Sequence, residues 1–387
     1  MTYDFDRVIE RRGTNSLKYD FAAERKMPEG LLPLWVADMD FPAPPEVLKD
    51  LRCVMDHGVF GYTEPKDDYY NAVTSWFGKR FGLDASPRDI IKSPGVVFAL
   101  AQAVRAFTRP GETVMIQTPV YYPFFKIVGD NGRELAANPL VYKDGRYTID
   151  FDDFESKIAG RSVKAFLLCN PHNPVGRVWT RAELERMNEI CGRYNVIIIS
   201  DEIHCDFVWR GHTHTNFGLI NENAVIATAP SKTFNLAGLQ ASNIFVKDPA
   251  ARSKLKEEIN RSGYSQLSAP GIVACQSAYS KGGEWLEALK VYLTENIRFV
   301  REFLNARLPK IHLAEPEGTY LLWLDFKNYG LSQDELDKRV IYEARLWLDS
   351  GTMFGREGEG FQRINAACPR ATLEKALNRL ERTFGGL

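Results

Sequence analysis

Short apolar, β-branched runs alternate with amphipathic stretches through the middle of the chain. Asp89–Lys92 reads as a strand, followed by Ser93-Pro94-Gly95 and an apolar-periodic helix over Val96–Phe107. Further strands are expected at Thr113–Gln117, Val163–Cys169, Val196–Ser200, Ala224–Thr228 and Ser242–Val246. Val196–Ser200 is apolar almost throughout, as in a strand covered on both faces. Arg181–Tyr194 has helical spacing, with Leu184, Met187, Ile190 and Cys191 on one side. This alternation is the α/β pattern.

After about Ser280 the pattern changes. Long helical stretches (Trp285–Leu308, Gln333–Ala344, Thr372–Thr383) surround two strand candidates, Tyr320–Phe326 and Phe361–Asn365. That predicts a smaller α+β domain over 286–387 beside a large domain over 46–285. The segment 1–45 is expected to pack with the smaller one. No internal repeat or low-complexity linker interrupts the chain.

Most of the predicted strands of the middle region run straight into Gly, Pro, Asn, Asp or Lys. In an open α/β sheet ligands bind outside the carboxyl ends of the strands. Polar residues gathered there point to one site assembled from many segments.

Composition excludes some partners. The chain has 387 residues, 44% hydrophobic and 26% charged, with a formal net charge of -1. This is ordinary globular composition, with no electrostatic reason to expect nucleic acid or an anionic membrane as partner. No apolar run reaches the ~20 residues that cross a bilayer. Met1–Arg12 is rich in charge and does not read as a signal peptide. The six cysteines form no Cys-x-x-Cys pair and are expected to be reduced, in a cytoplasmic setting. The six histidines do not cluster at ligand spacing, and His212 and His214 read as a solvated turn, so no metal site is expected.

Six motifs carry chemistry. In Ser231-Lys232-Thr233-Phe234-Asn235 a lysine sits just beyond a buried strand, where desolvation lowers an amine's pKa and prepares it for imine formation. The plain alternative is a surface lysine in a strand-to-helix loop. Asp201, ending the run Val196–Ser200, is placed to hold a ring nitrogen protonated or to cap the next helix; Glu202 reads as structural or paired with a basic residue. Asn170-Pro171-His172-Asn173-Pro174 offers an amide donor at Asn173 or a turn. Ser93-Pro94-Gly95-Val96-Val97 suits a phosphate at a helix N-terminus, although glycines precede many helices. Tyr121 and Tyr122, between Pro119 and Pro123, offer a flat face for a heteroaromatic ring, or fill core. Arg363, inside an apolar strand, wants a carboxylate, from a ligand or from a structural ion pair.

In order and spacing these motifs resemble those of fold-type I pyridoxal-5′-phosphate enzymes. The likeness runs from about Trp35 to Arg370 and is nearest to the cystathionine β-lyase (C–S lyase) branch, which is related to class I and II aminotransferases. Trp35-Val36-Ala37-Asp38-Met39-Asp40-Phe41, Phe60-Gly61-Tyr62 and Ser200-Asp201-Glu202-Ile203-His204 carry it together with the motifs above. The resemblance implies a mostly parallel central sheet with a smaller α+β C-terminal domain. It implies pyridoxal 5′-phosphate bound covalently to Lys232 and paired at its ring nitrogen with Asp201. Asn173 and His204 would face the ring oxygen, and Tyr121 would stack on the ring. The Val96 and Val97 amides would hold the phosphate, with Ser231 a candidate helper. Arg363 would bind the substrate carboxylate, with Tyr122 beside it. Tyr62 would reach the cofactor of a second copy, making a homodimer with shared sites. Ala229 and Gln240 stand where class I aminotransferases carry Ser or Gly and a phosphate-binding arginine. That departure favours α,β-elimination from a cysteine-type thioether such as L-cystathionine over transamination. The remaining alternative is a regulatory binding protein on the same fold.

Overall fold

The computed structural model describes residues 3–387. Seven strands form the central sheet: β1 (Ile90–Ser93), β2 (Thr113–Thr118), β3 (Glu134–Pro139), β4 (Ala165–Cys169), β5 (Ile197–Asp201), β6 (Val225–Thr228) and β7 (Ser242–Phe245). Their spatial order is β1-β7-β6-β5-β4-β2-β3. Only β7 runs against its neighbours. The order reverses around the β2–β4 pair and again at β1, so loops from distant parts of the chain meet above β4, β5 and β6.

Alternation along each strand sorts side chains to two faces. In β4, Ala165, Leu167 and Cys169 pack with the helices Val96–Phe107 and Pro249–Arg261, whereas Phe166 and Leu168 face the larger core on the other side. β5 splits likewise, with Ile198 on one face and Ile199 on the other. Burial on both faces explains why these strands read as continuous apolar runs.

The second sheet is antiparallel: β8 (His312–Leu313), β9 (Leu321–Asp325), β10 (Asp349–Ser350) and β11 (Phe361–Asn365), in the order β8-β9-β11-β10. The 25-residue helix Gly283–Arg307 leads into it. The N-terminal segment runs beside it: Leu32–Pro33 pairs with Leu346–Trp347, and Trp35 stacks on Trp347 at 4.7 Å. Asn365 Nδ2 donates to the carbonyls of Val36 (2.7 Å) and Asp38 (2.5 Å), while Asn235 bonds the backbone of Met39 and Phe41. The segment 36–41 is thereby clamped between an asparagine of each sheet's surroundings. Gly351 and Gly358 meet backbone to backbone, and a Cβ on Gly351 would lie 1.9 Å from the Gly358 oxygen. This contact folds the 351–358 strap so that Phe354 O accepts from Val120 N at 2.9 Å, beside Tyr121.

Two expectations are corrected. The helix expected over Gln333–Ala344 is regular only for Gln333–Lys338 and widens into a π-turn over Arg339–Glu343. His214 is no solvated residue. It is buried, with Nε2 2.8 Å from Glu202 Oε2, because Glu202 is itself fully buried and requires donors. Asn216 Nδ2, the Phe217 amide and Ser200 Oγ supply the rest. No helix among the described residues is long and apolar enough to cross a membrane.

Candidate active site

A cavity opens above the carboxyl ends of β1, β2, β4, β5 and β6. Its walls include Gly95, Val96, Val97, Tyr121, Asn173, Asp201, His204, Ser231 and Lys232. Each follows its strand within a few residues, which is how segments so far apart in sequence converge. Ala37, from the clamped N-terminal segment, closes one side, and Gln240 reaches in from the turn before β7.

Lys232 lies in a one-turn helix, Pro230–Thr233, immediately beyond β6. Its Nζ donates to Ala37 O at 2.7 Å. Desolvation pulls its pKa down to about 8, with Arg363 pushing the same way and Asp38 and Asp201 opposing. Asp201 is buried at the end of β5, where loss of water pushes its carboxyl up to about 7. One oxygen accepts from the Ile203 amide at 3.1 Å. His204 is buried too. Desolvation, aided by Lys232 and Arg363, holds its pKa well below the usual imidazole value, so the ring is neutral. Its Nδ1 finds no partner among the described residues.

Asn173 sits between two cis prolyl bonds, Asn170-Pro171 before it and its own bond to Pro174 after it. Its Oδ1 accepts from Arg363 Nη1 at 3.0 Å, which turns the amide NH2 toward the cavity it lines. His172 is turned away, its Nε2 donating to Pro119 O at 2.9 Å. The helix Val96–Phe107 starts at the cavity with no side-chain cap, leaving its first amides free for a ligand. A side-chain Cβ at Gly95 would meet no atom within 4 Å, so the space before that helix is open.

These groups suit pyridoxal phosphate. An amine with a lowered pKa faces the cavity, a buried carboxyl with a raised pKa stands ready for a ring nitrogen, and a neutral histidine has an orphaned nitrogen. An uncapped helix start suits the phosphate. Among the described residues Lys232 is the one cationic side chain lining the cavity, and Gln240 lines it as a neutral group.

The remaining predicted residues lie outside this cavity. Arg363, in β11, joins it through Asn173. Tyr122 packs against Tyr121 at 5.3 Å and Phe354 at 5.9 Å. Tyr62 is 96% exposed and lines a separate surface cleft with Phe60 and Tyr264. Sequence reasoning missed Ala37, whose part is played by a carbonyl and leaves no trace in residue type. It also missed Asp349, a lone charge directly after the apolar run Leu346–Leu348, which pairs with Arg363. A carboxylate ending such a run was the available signal.

The aminotransferase class I and II model matches residues 29–380. Cystathionine beta-lyase PatB of Bacillus subtilis is 46% identical, over 98% of this chain and 99% of its own length. Cystalysin of Treponema denticola, whose crystal structure contains pyridoxal 5′-phosphate, superposes with a TM-score of 0.95 at 38% identity and covers 99% of both chains. The pyridoxal-phosphate-bound C–S lyase of Staphylococcus hominis, complexed with L-cycloserine, does so at 0.92 and 34%, again over 99% of both.

Proposed function

The chain belongs to the class I and II aminotransferase family, in its cystathionine β-lyase branch, and on that premise we propose the following reading of its site. The protein is a pyridoxal-5′-phosphate-dependent carbon–sulfur lyase. It cleaves L-cystathionine, with water, into homocysteine, pyruvate and ammonia. The observation that carries the site assignment is Lys232. An amine with its pKa lowered to about 8 faces Asp201 across a cavity assembled at the strand ends.

When bound, the cofactor supplies an aldehyde for amines and a protonated ring that accepts the electron pair left when Cα loses its proton. The residues do the rest. Lys232 would hold the cofactor through its amine and, with that amine free, would take the Cα proton. Asp201 keeps the ring nitrogen protonated by hydrogen-bonding to it. Asn173 and His204 face the ring oxygen, Tyr121 covers one ring face, and the Val96 and Val97 amides receive the phosphate with Ser231 beside them. Arg363 orients the α-carboxylate, with Tyr122 at its side. With the Cα proton on Lys232, the electron pair it leaves forms the Cα=Cβ bond as the Cβ–S bond breaks and its pair departs on the thiolate.

Tyr62, exposed on one chain, belongs in this reading to the partner's site in a homodimer working in the cytoplasm. In this reading the chain divides into 46–285 and 286–387, with 1–45 packed on the latter, and Ala37 brings the N-terminal segment to the cavity wall. Purified enzyme given L-cystathionine and no keto acid should release pyruvate and homocysteine over many turnovers. A transaminase would stop after one half-reaction until 2-oxoglutarate is added, and that result would replace the lyase reading.

A further inference from the structure

Arg363 and Asp349 are directly opposed across the antiparallel pair β10–β11, and both side chains are almost completely buried. Arg363 Nη2 donates to the Trp35 carbonyl at 2.7 Å and to Asp349 Oδ2 in a short ion pair. Nη1 donates to Asn173 Oδ1 at 3.0 Å. Nε is buried with no partner among the described residues.

A guanidinium presents a carboxylate with two bidentate edges, Nε with Nη2 or Nη1 with Nη2. Both edges use Nη2, and both Nη2 hydrogens are already committed. One is held by a backbone carbonyl that the N-terminal clamp fixes in place. The other is held by a side chain. A second carboxylate gains a full edge only where Asp349 lets go.

We infer that Asp349 stands in for the substrate α-carboxylate on Arg363 in the free enzyme, and that substrate binds by exchanging its own carboxylate for that of Asp349. This rests on the proposal that Arg363 is the α-carboxylate site.

The exchange has a physical rationale. Without Asp349, the empty site would hold a buried guanidinium with no counter-charge, which is costly. With it, one charge-assisted pair replaces another. The free site stays ordered and substrate affinity is tempered. Burial raises the Tyr122 phenol's pKa and the nearby Asp349 charge adds to it, so a hydroxyl donor is at hand for the displaced carboxylate. The consequence is selectivity. A ligand without a carboxylate cannot trade for Asp349, and one that brings a carboxylate competes on equal chemical terms.

The test uses holoenzyme with Asp349→Asn, which preserves shape, and Asp349→Ala as a second variant. Propionate serves as a minimal carboxylate probe. Removing the internal competitor should lower KM for L-cystathionine and the inhibition constant of propionate together, each by about tenfold, the scale of one charge-assisted bond. Folded variants with both values unchanged or raised would overturn the exchange. Arg363→Ala separates the two claims. If it moves neither constant, the carboxylate-site reading itself falls. If it raises both while Asp349→Asn moves neither, only the exchange falls.

Discussion

Lys232 Nζ and the carbonyl oxygen of Ala37 are 2.7 Å apart, although 195 positions separate them in the chain. The same oxygen accepts from the Tyr320 hydroxyl at 3.1 Å. The N-terminal segment thus holds the reactive amine, while Asn235 and Asn365 hold the segment. Access to the amine is coupled to the packing of residues 36–41 between the two sheets.

The first prediction concerns the amine itself. With a pKa near 8, Lys232 is substantially uncharged at pH 8, where an ordinary lysine is not. Rebinding of pyridoxal phosphate to the apo-protein should speed up as pH rises through about 8 and then level off. A rate still climbing toward pH 10 would show an unperturbed lysine. Borohydride should fix the cofactor's mass on Lys232, and recovery of the label on another lysine would refute the assignment.

Asp201 gives a prediction of opposite sign. Burial pushes its carboxyl up to about 7 from the ordinary carboxylate value of 3.8. Between those values the unfolded chain has lost the proton and the folded apo-protein keeps it. The folded state therefore binds more protons, and this residue's contribution to stability falls as pH rises across that window. Asp201→Asn should make the apo-protein's thermal midpoint higher than wild type at pH 8, with the gap closing toward pH 4. The same variant should lose most turnover, because an amide does not hold the ring nitrogen protonated. Equal midpoints at pH 8 would mean that Asp201 is not desolvated.

What the sequence reveals and what it hides differ in kind. Asp201 is legible because it ends an apolar strand, and Lys232 because it stands in the turn just beyond one, where a charge is costly without a purpose. β11 is legible to the residue, since Phe361–Asn365 is bounded by glycine on one side. The helices Pro45–His57, Asp67–Phe81 and Ala269–Lys281 are harder. Ala269–Lys281 buries Gly271, Ala274, Cys275, Ser277 and Ala278, so small residues face the core and no clean apolar stripe remains. His214 misleads because its burial depends on Glu202, twelve residues earlier, and not on its own polar neighbours. Asp349 gains its meaning only through its register with Arg363, which pattern along one strand does not contain.

Gln240 offers a gain-of-function test. It lines the cavity where related aminotransferases carry a phosphate-binding arginine, and its backbone already sits in the left-handed region at φ 49°. Gln240→Arg extends the side chain further into the cavity and adds a cation without asking more of the backbone. A charge-assisted bond to phosphate is worth about 1.5–3 kcal/mol, so cofactor affinity should rise about tenfold or more. Fluorescence titration of the apo-protein with pyridoxal phosphate measures it. No gain would place Gln240 away from the phosphate.

The last prediction concerns Tyr62. A tyrosine that is 96% exposed, beside Phe60 at 59% and Val59 at 71%, is an apolar surface without a partner in its own chain. Its loop is tied down by Lys92, at the end of β1, which pairs with Glu64. That places the loop near the phosphate end of the sheet but outside its own cavity. If a second copy covers this surface, Tyr62 is delivered to the partner's cofactor, and each site draws on both chains. A Lys232→Ala chain and a Tyr62→Ala chain would then be defective for different reasons. Mixed heterodimers contain one site with both defects and one with neither. Co-expression with two affinity tags isolates such heterodimers, and they should show up to half of wild-type activity, well above either homodimer. Activity no higher than the mean of the two homodimers would confine Tyr62 to its own chain and remove it from the site.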